Sequence, residues 1–164
     1  MRHLITGLLM ATALSVVAPV AAAAKTVTVE ERSISELQMM MRAGRASSVD
    51  LVKAYLARIA AMDRPVEGGG PTLRSIIALN PDAIAQAKAL DAERKAGRVR
   101  GPLHGVPILI KDNIETADAM PTTAGSLALK DNMTRRDAPV VAALREQGAV
   151  ILGKTNLSEW ANIR

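Results

Sequence analysis

Apolar and polar positions follow two different periods along this chain, and the changes of period mark its elements. Ser33-Ile34-Ser35-Glu36 fits a capping box, with Ser33 as N-cap and Glu36 three positions on. Ile34, Leu37 and Met41 then fall on one helical face, and Gly44 supplies a C-terminal stop. Met39 to Met41 read as that face and its edge. Ser47-Ser48-Val49-Asp50 opens a second helix, striped by Leu51, Tyr55 and Ile59 with Val52 and Leu56 beside them, which ends before Pro65. After a Gly68–Pro71 loop, Arg74 to Leu79 is a short β-rich run. Asn80-Pro81 reads as N-cap and N1 of a third helix through Ala83, Ala87 and Leu90 that stops at Gly97. Ile108-Leu109-Ile110 is an apolar strand, Asp137-Ala138-Pro139 starts a fourth helix ending at Gly148, and Ala149 to Leu152 is another buried strand. Asn156 to Glu159 reads as the start of one more helix. Helices alternating with uninterrupted apolar strands predict an α/β layer fold.

The first segment follows a different logic. Met1-Arg2-His3 is a basic start, Leu4 to Val17 is uncharged and mostly apolar, and Ala21 to Ala24 precede Lys25. This is the pattern of a signal peptide over residues 1–24 with Ala22-x-Ala24 as the cleavage site. The apolar run is short for a membrane span of about 20 residues. The expectation is a periplasmic or secreted chain from 25 to 164, with no stable membrane anchor.

Composition narrows the chemistry. Apolar residues make up 49% and charged residues 23%, which is globular, but aromatics are only 1%, so the core is aliphatic and Ala-rich. Tyr55 and Trp160 alone offer no platform for stacking bases, and the net charge of +5 is spread along the chain; a nucleic-acid partner is not expected. The absence of Cys excludes disulfides, thiol nucleophiles and Cys-based metal centres, and two His do not make a His-rich site.

Gly148-Ala149-Val150-Ile151-Leu152-Gly153-Lys154-Thr155 matches the phosphate-loop pattern letter for letter. A phosphate loop follows a strand and wraps phosphate with backbone N–H groups. Here the middle residues are themselves the strand and a helix precedes Gly148, so nucleotide binding is not expected. His104, in a turn between Leu103 and Gly105, reads as a loop-ordering residue, and Thr122 to Ser126 as a small polar loop.

Lys111 is the candidate for chemistry. It directly follows three aliphatic residues, and lysine is almost never buried unpaired. One reading is a strand-end lysine that reaches solvent. The other is an amine turned into the fold at the end of an interior strand, where an apolar wall lowers its pKa far enough for general-base work.

The stretch from Gly101 to Asn162 closely resembles the amidase signature family of serine amide hydrolases. The resemblance rests on Gly101-Pro102-Leu103-His104-Gly105-Val106-Pro107-Ile108 running into Lys111-Asp112-Asn113, then Thr122-Thr123-Ala124-Gly125-Ser126, the Asp137-to-Val141 helix start, and Gly148 through Glu159. It implies the N-terminal part of that family's fold: a mixed β-sheet covered by α-helices, here preceded by the signal peptide. It also implies a Ser–cis-Ser–Lys catalytic unit with Lys111 as the lysine, no cofactor, and a small amide or peptide-amide substrate. The family's two catalytic serines lie in a Gly/Ser-rich segment that this chain does not contain. Its adjacent serines, Ser47 and Ser48, are expected as helix caps, and Ser126 and Ser158 match positions that are not the nucleophile. The 164 residues alone are therefore expected to be inactive. The rival readings are a truncated, non-catalytic fragment and, within the family, the amidotransferase component that acts on charged tRNA.

Overall fold

Three of the four described helices begin at a side-chain cap or a proline, and the third helix has neither. In a computed structural model, which describes residues 27–63 and 73–158, helix α1 spans Ile34–Arg42 and α2 spans Ser48–Met62. Helix α1 opens on the capping box read from the sequence, Ser33 with Glu36, and α2 opens where expected, on a second box that the structure adds, Ser47 with Asp50. Helix α3 covers Ala83–Lys95, and helix α4, Pro139–Glu146, starts on a proline at N1. Gly44, Gly97 and Gly148 take the left-handed φ that stops α1, α3 and α4. The signal segment, the Gly68–Pro71 loop and the end of the last expected helix lie outside the described residues.

Two boundaries differ from expectation. Helix α3 has Asp82 rather than Asn80 at its N-cap. Asn80 keeps a cap-like bond, its oxygen accepting the Asp82 N–H at 3.0 Å, while its amide donates to the Ile151 carbonyl at 2.7 Å and to Asp118 at 3.2 Å. It ties the end of strand β1, Ile76–Leu79, to the centre of the sheet. The last strand, β3, runs from Val150 to Thr155, three residues past the expected end, so Gly153 and Lys154 are sheet residues. The expected helix from Asn156 does not begin by Ser158.

Strand β2 is Pro107–Lys111, and the sheet order is β1-β3-β2. Strand β1 runs antiparallel to β3 and β2 parallel to it, so the sheet is mixed, as expected. Both pairings carry an irregularity, at Ile77 on β1 and at Leu152 on β3. Val150 and Leu152 pack with Val52, Ala83, Ala87 and Leu90, so α2 and α3 cover one face. Ile110 and Ile151 pack with Met120 and Val141, so α4 and the segment before it cover the other. Three layers result, and Ala at positions 83 and 87, fully buried, lets α3 sit close to the sheet. Among the described residues no helix is long and apolar enough to cross a membrane.

The α1 cap makes a pH prediction. Hydrogen bonds from the Ser33 backbone and from the Arg32 guanidinium hold the Glu36 carboxyl at about 2, against an ordinary 4.5. Its folded value is below its unfolded one, so its contribution is complete above 4.5 and is lost as pH falls toward 2. The Ser33 amide resonance, bonded to Glu36 at 2.8 Å, is expected to move across that window and to stay still in Glu36→Gln. A Ser33 amide that moves equally in both proteins would refute the cap as the cause.

Candidate functional site

The motif residues gather at the C-terminal ends of β2 and β3. Lys111 is the last residue of β2 and pairs with Thr155. The Asp112 N–H then donates to the Thr155 carbonyl at 3.1 Å, which closes the ladder and turns the Asp112 side chain inward, fully buried. The Asp112 carboxylate accepts from the Thr123 N–H at 3.0 Å and from the Thr123 hydroxyl. Thr123 in turn accepts the Gly125 N–H at 3.1 Å on its hydroxyl, and the Ser126 N–H bonds the Thr123 carbonyl. The Thr122–Ser126 loop is thereby tied to the residue after Lys111. Ala124 lies at φ 50, a strained conformation that such a tie sustains.

Lys154 enters from the neighbouring strand. It is fully buried, pairs with Ile110, and donates to the Thr122 hydroxyl at 2.5 Å. Burial pushes its ammonium below the usual lysine value, an effect opposed by the charges of Asp112, Asp118 and Glu115. Lys154 and Ile110 point to the α4 side of the sheet, where Ile151 also packs. Lys111, one residue on from Ile110, points to the opposite side.

That placement corrects one expectation. Lys111 does end an apolar strand, but β2 is an edge strand of the described sheet and the Lys111 side chain is exposed. The reason is the strand period: with Ile108 and Ile110 committed to the packed interior, Leu109, 38% exposed, and Lys111 take the other face, beyond the cover of α2 and α3. The interior lysine of this pair of strand ends is Lys154, a residue of the phosphate-loop pattern for which no role is expected from sequence.

The phosphate-loop pattern fails for the physical reason anticipated. Val150–Thr155 is a strand, and its Lys154 faces protein rather than an open loop. Both glycines of the pattern are packing residues. A Cβ on Gly153 would lie 2.5 Å from the Ala78 carbonyl oxygen, and one on Gly148, already at φ +83, would lie 2.8 Å from the His104 Cα.

His104 is fully buried and orders its loop. Its Nδ1 accepts the Arg100 N–H at 3.2 Å, so Nε2 carries the proton and donates to the Leu90 carbonyl at 2.9 Å. Its own carbonyl accepts from Gln38 and Arg94, joining α1, α3 and the approach to β2. Ser47 caps α2, and Ser48, fully buried, donates to the Gly105 carbonyl at 2.8 Å, so neither is free to act as a nucleophile. Among the described residues no group of three or more His, Asp or Glu could hold a metal ion. A groove of about 770 Å³ between the α1–α2 turn and α3 is lined by Arg42, Lys88, Asp91 and Arg94 among others, and lies away from Lys111.

The family model described as Amidase matches residues 50–164. The native peptide amidase from Stenotrophomonas maltophilia is 53% identical with a TM-score of 0.73, over 81% of this chain and 26% of that one. An amidase family protein from Bacillus anthracis is 42% identical with a TM-score of 0.73, over 82% and 26%. A glutamyl-tRNA(Gln) amidotransferase component from Chloroflexus aurantiacus is 42% identical over 130 residues, 79% of this chain and 25% of that protein. The chain thus spans about a quarter of the length of the relatives it matches. With the family's sequence blocks gathered at one end of a matching mixed sheet, this chain belongs to the amidase family.

Proposed function

We propose that this chain is the N-terminal portion of an amide hydrolase acting on a small amide or peptide amide by Ser–cis-Ser–Lys chemistry, with Lys111 as the general base. The observation that carries the reading is the junction of Lys111, Asp112 and the Thr122–Ser126 loop at one strand end, in a chain 53% identical to a peptide amidase. In this reading the neutral Lys111 amine takes a proton from the bridging serine, and that serine takes one from the nucleophilic serine as it attacks the amide carbon. The proton returns to the leaving amine, and water then cleaves the acyl-enzyme. Both serines belong to the remainder of an amidase domain, which would pack against the face where Leu109 and Lys111 are exposed.

The test is an amide-hydrolysis assay on two proteins. One is the 164-residue chain. The other is a complete amidase domain carrying it, made by joining it to the matching remainder of the Stenotrophomonas maltophilia peptide amidase. Turnover is expected in the second and none above background in the first. Activity of the first that Lys111→Ala removes would overturn the assignment of the serines to another segment. A complete domain that folds and stays inert would overturn the hydrolase reading. The amidotransferase reading, supported by the 42% identity to the Chloroflexus aurantiacus protein, predicts instead that glutamine hydrolysis appears only with charged tRNA and partner chains.

A further inference from the structure

The buried cluster on the far side of the sheet from Lys111 has no part in that chemistry. Lys154 is fully buried on the central strand, which by itself is costly, and its ammonium donates a hydrogen bond to Thr122. Asp112, also fully buried, uses one carboxylate oxygen for Thr123 and leaves Oδ1 buried without a hydrogen-bond partner. A buried carboxylate in that state needs a nearby cation, and Lys154 is the buried ammonium whose field it shares. Asp112 and Lys154 thus hold adjacent threonines of one loop, from adjacent strands. The loop they hold keeps Ala124 at φ 50, a conformation a non-glycine residue adopts only where its surroundings enforce it.

We infer that Lys154 is a positioning residue: with Asp112 it clamps Thr122 and Thr123 so that the end of β2, and with it the Lys111 backbone, is held in one place relative to the Thr122–Ser126 loop. The inference rests on the reading of Lys111 as the base. Lys154 touches nothing that reacts; it acts through Thr122 and Asp112. The arrangement explains why the chain keeps an ammonium at a position where an aliphatic residue would pack without desolvation cost. Each partner has a separate anchor, Asp112 through the Thr155 carbonyl and Thr122 through its N–H to the Asn132 carbonyl at 2.9 Å, so losing Lys154 loosens the loop without unzipping the strand pair.

Thr122→Val and Thr122→Ser in the complete amidase domain separate positioning from packing. Thr122→Val keeps the volume and removes the acceptor; it is expected to lower kcat about tenfold, a change of about 1.4 kcal/mol in the barrier, with KM within about twofold. Thr122→Ser keeps the hydroxyl and is expected to restore kcat to within about twofold. Lys154→Met is expected to lower kcat further at equal folded fraction. If Lys154→Met does not fold, the threonine pair decides. Equal kcat for Thr122→Val and the parent, or equal losses for Val and Ser, would overturn the inference. Hydrogen exchange at the Thr123 amide in the 164-residue chain, expected to speed up about tenfold in Thr122→Val, tests the clamp without Lys111. An unchanged Thr123 rate would also overturn it, whereas an active Lys111→Ala domain would refute only the base assignment.

Discussion

Replacing Lys111 by alanine in a complete amidase domain that carries this segment is expected to lower kcat by about 10³-fold or more, with the protein still folded. In the 164-residue chain taken alone Lys111 is exposed on the edge strand and its side chain makes no contact on which the described core depends, so there the same substitution should change stability by less than about 0.5 kcal/mol. The combination is diagnostic. A structural lysine at a buried strand end would lose stability and activity together. A solvated lysine of no function would lose neither. Lys111→Arg should not rescue, because a guanidinium stays protonated and cannot accept a proton. Steady-state kinetics and thermal melts of the three proteins give the answer, and wild-type kcat in Lys111→Ala would remove Lys111 from the mechanism.

Asp118→Ala is expected to destabilise the chain by about 3 kcal/mol. Asp118 is buried and accepts from three elements at once: Asn80 after β1 at 3.2 Å, Gln86 on α3 at 2.8 Å, and Arg145 on α4. Arg145 keeps a second partner in Asp137 at 2.9 Å and Asn80 keeps the Ile151 carbonyl, which limits the loss, but the Gln86 amide loses its acceptor. Asp118→Asn retains the volume and should recover roughly half. Chemical denaturation measures both, and a midpoint for Asp118→Ala equal to that of the parent would show that the three elements are held by apolar packing alone.

Local signals are legible where local physics decides. The Ser33–Glu36 capping box, the α2 start at Ser47, the Pro139 start and the glycine stops each depend on residues a few positions apart, and the structure matches them. Asn80 reads as a helix cap from its neighbours alone, and its oxygen does accept the Asp82 N–H; its other task, donating to the Ile151 carbonyl 71 positions away, exists only once the sheet is present. The length of β3 escapes a local reading for a related cause. Gly153 and Lys154 have poor strand propensity, and what keeps them in the ladder is the approach of Ala78 and the hydroxyl of Thr122. At the site, the apolar run before Lys111 correctly marks a strand end. Which lysine is interior cannot be read from it, because strand order is a tertiary property: β3, later in the chain, takes the centre and leaves β2 at the edge. Val150 to Thr155 taken as one continuous strand is the available signal for Lys154.

The strand at the centre of this sheet is the last of the three to be synthesised. Among the described residues, strands β1 and β2 pair with β3 and not with each other. At roughly 5–20 residues per second, a nascent chain carries two unpaired apolar strands for seconds before Val150–Thr155 emerges to join them. Nothing within the first two can close the sheet early, so helices α2 and α3, which are local, form against a layer that does not yet exist. A ribosome stalled ahead of β3 would therefore hold helical but sheetless protein, and that interval is when a chaperone has the longest access to Ile108, Leu109 and Ile110.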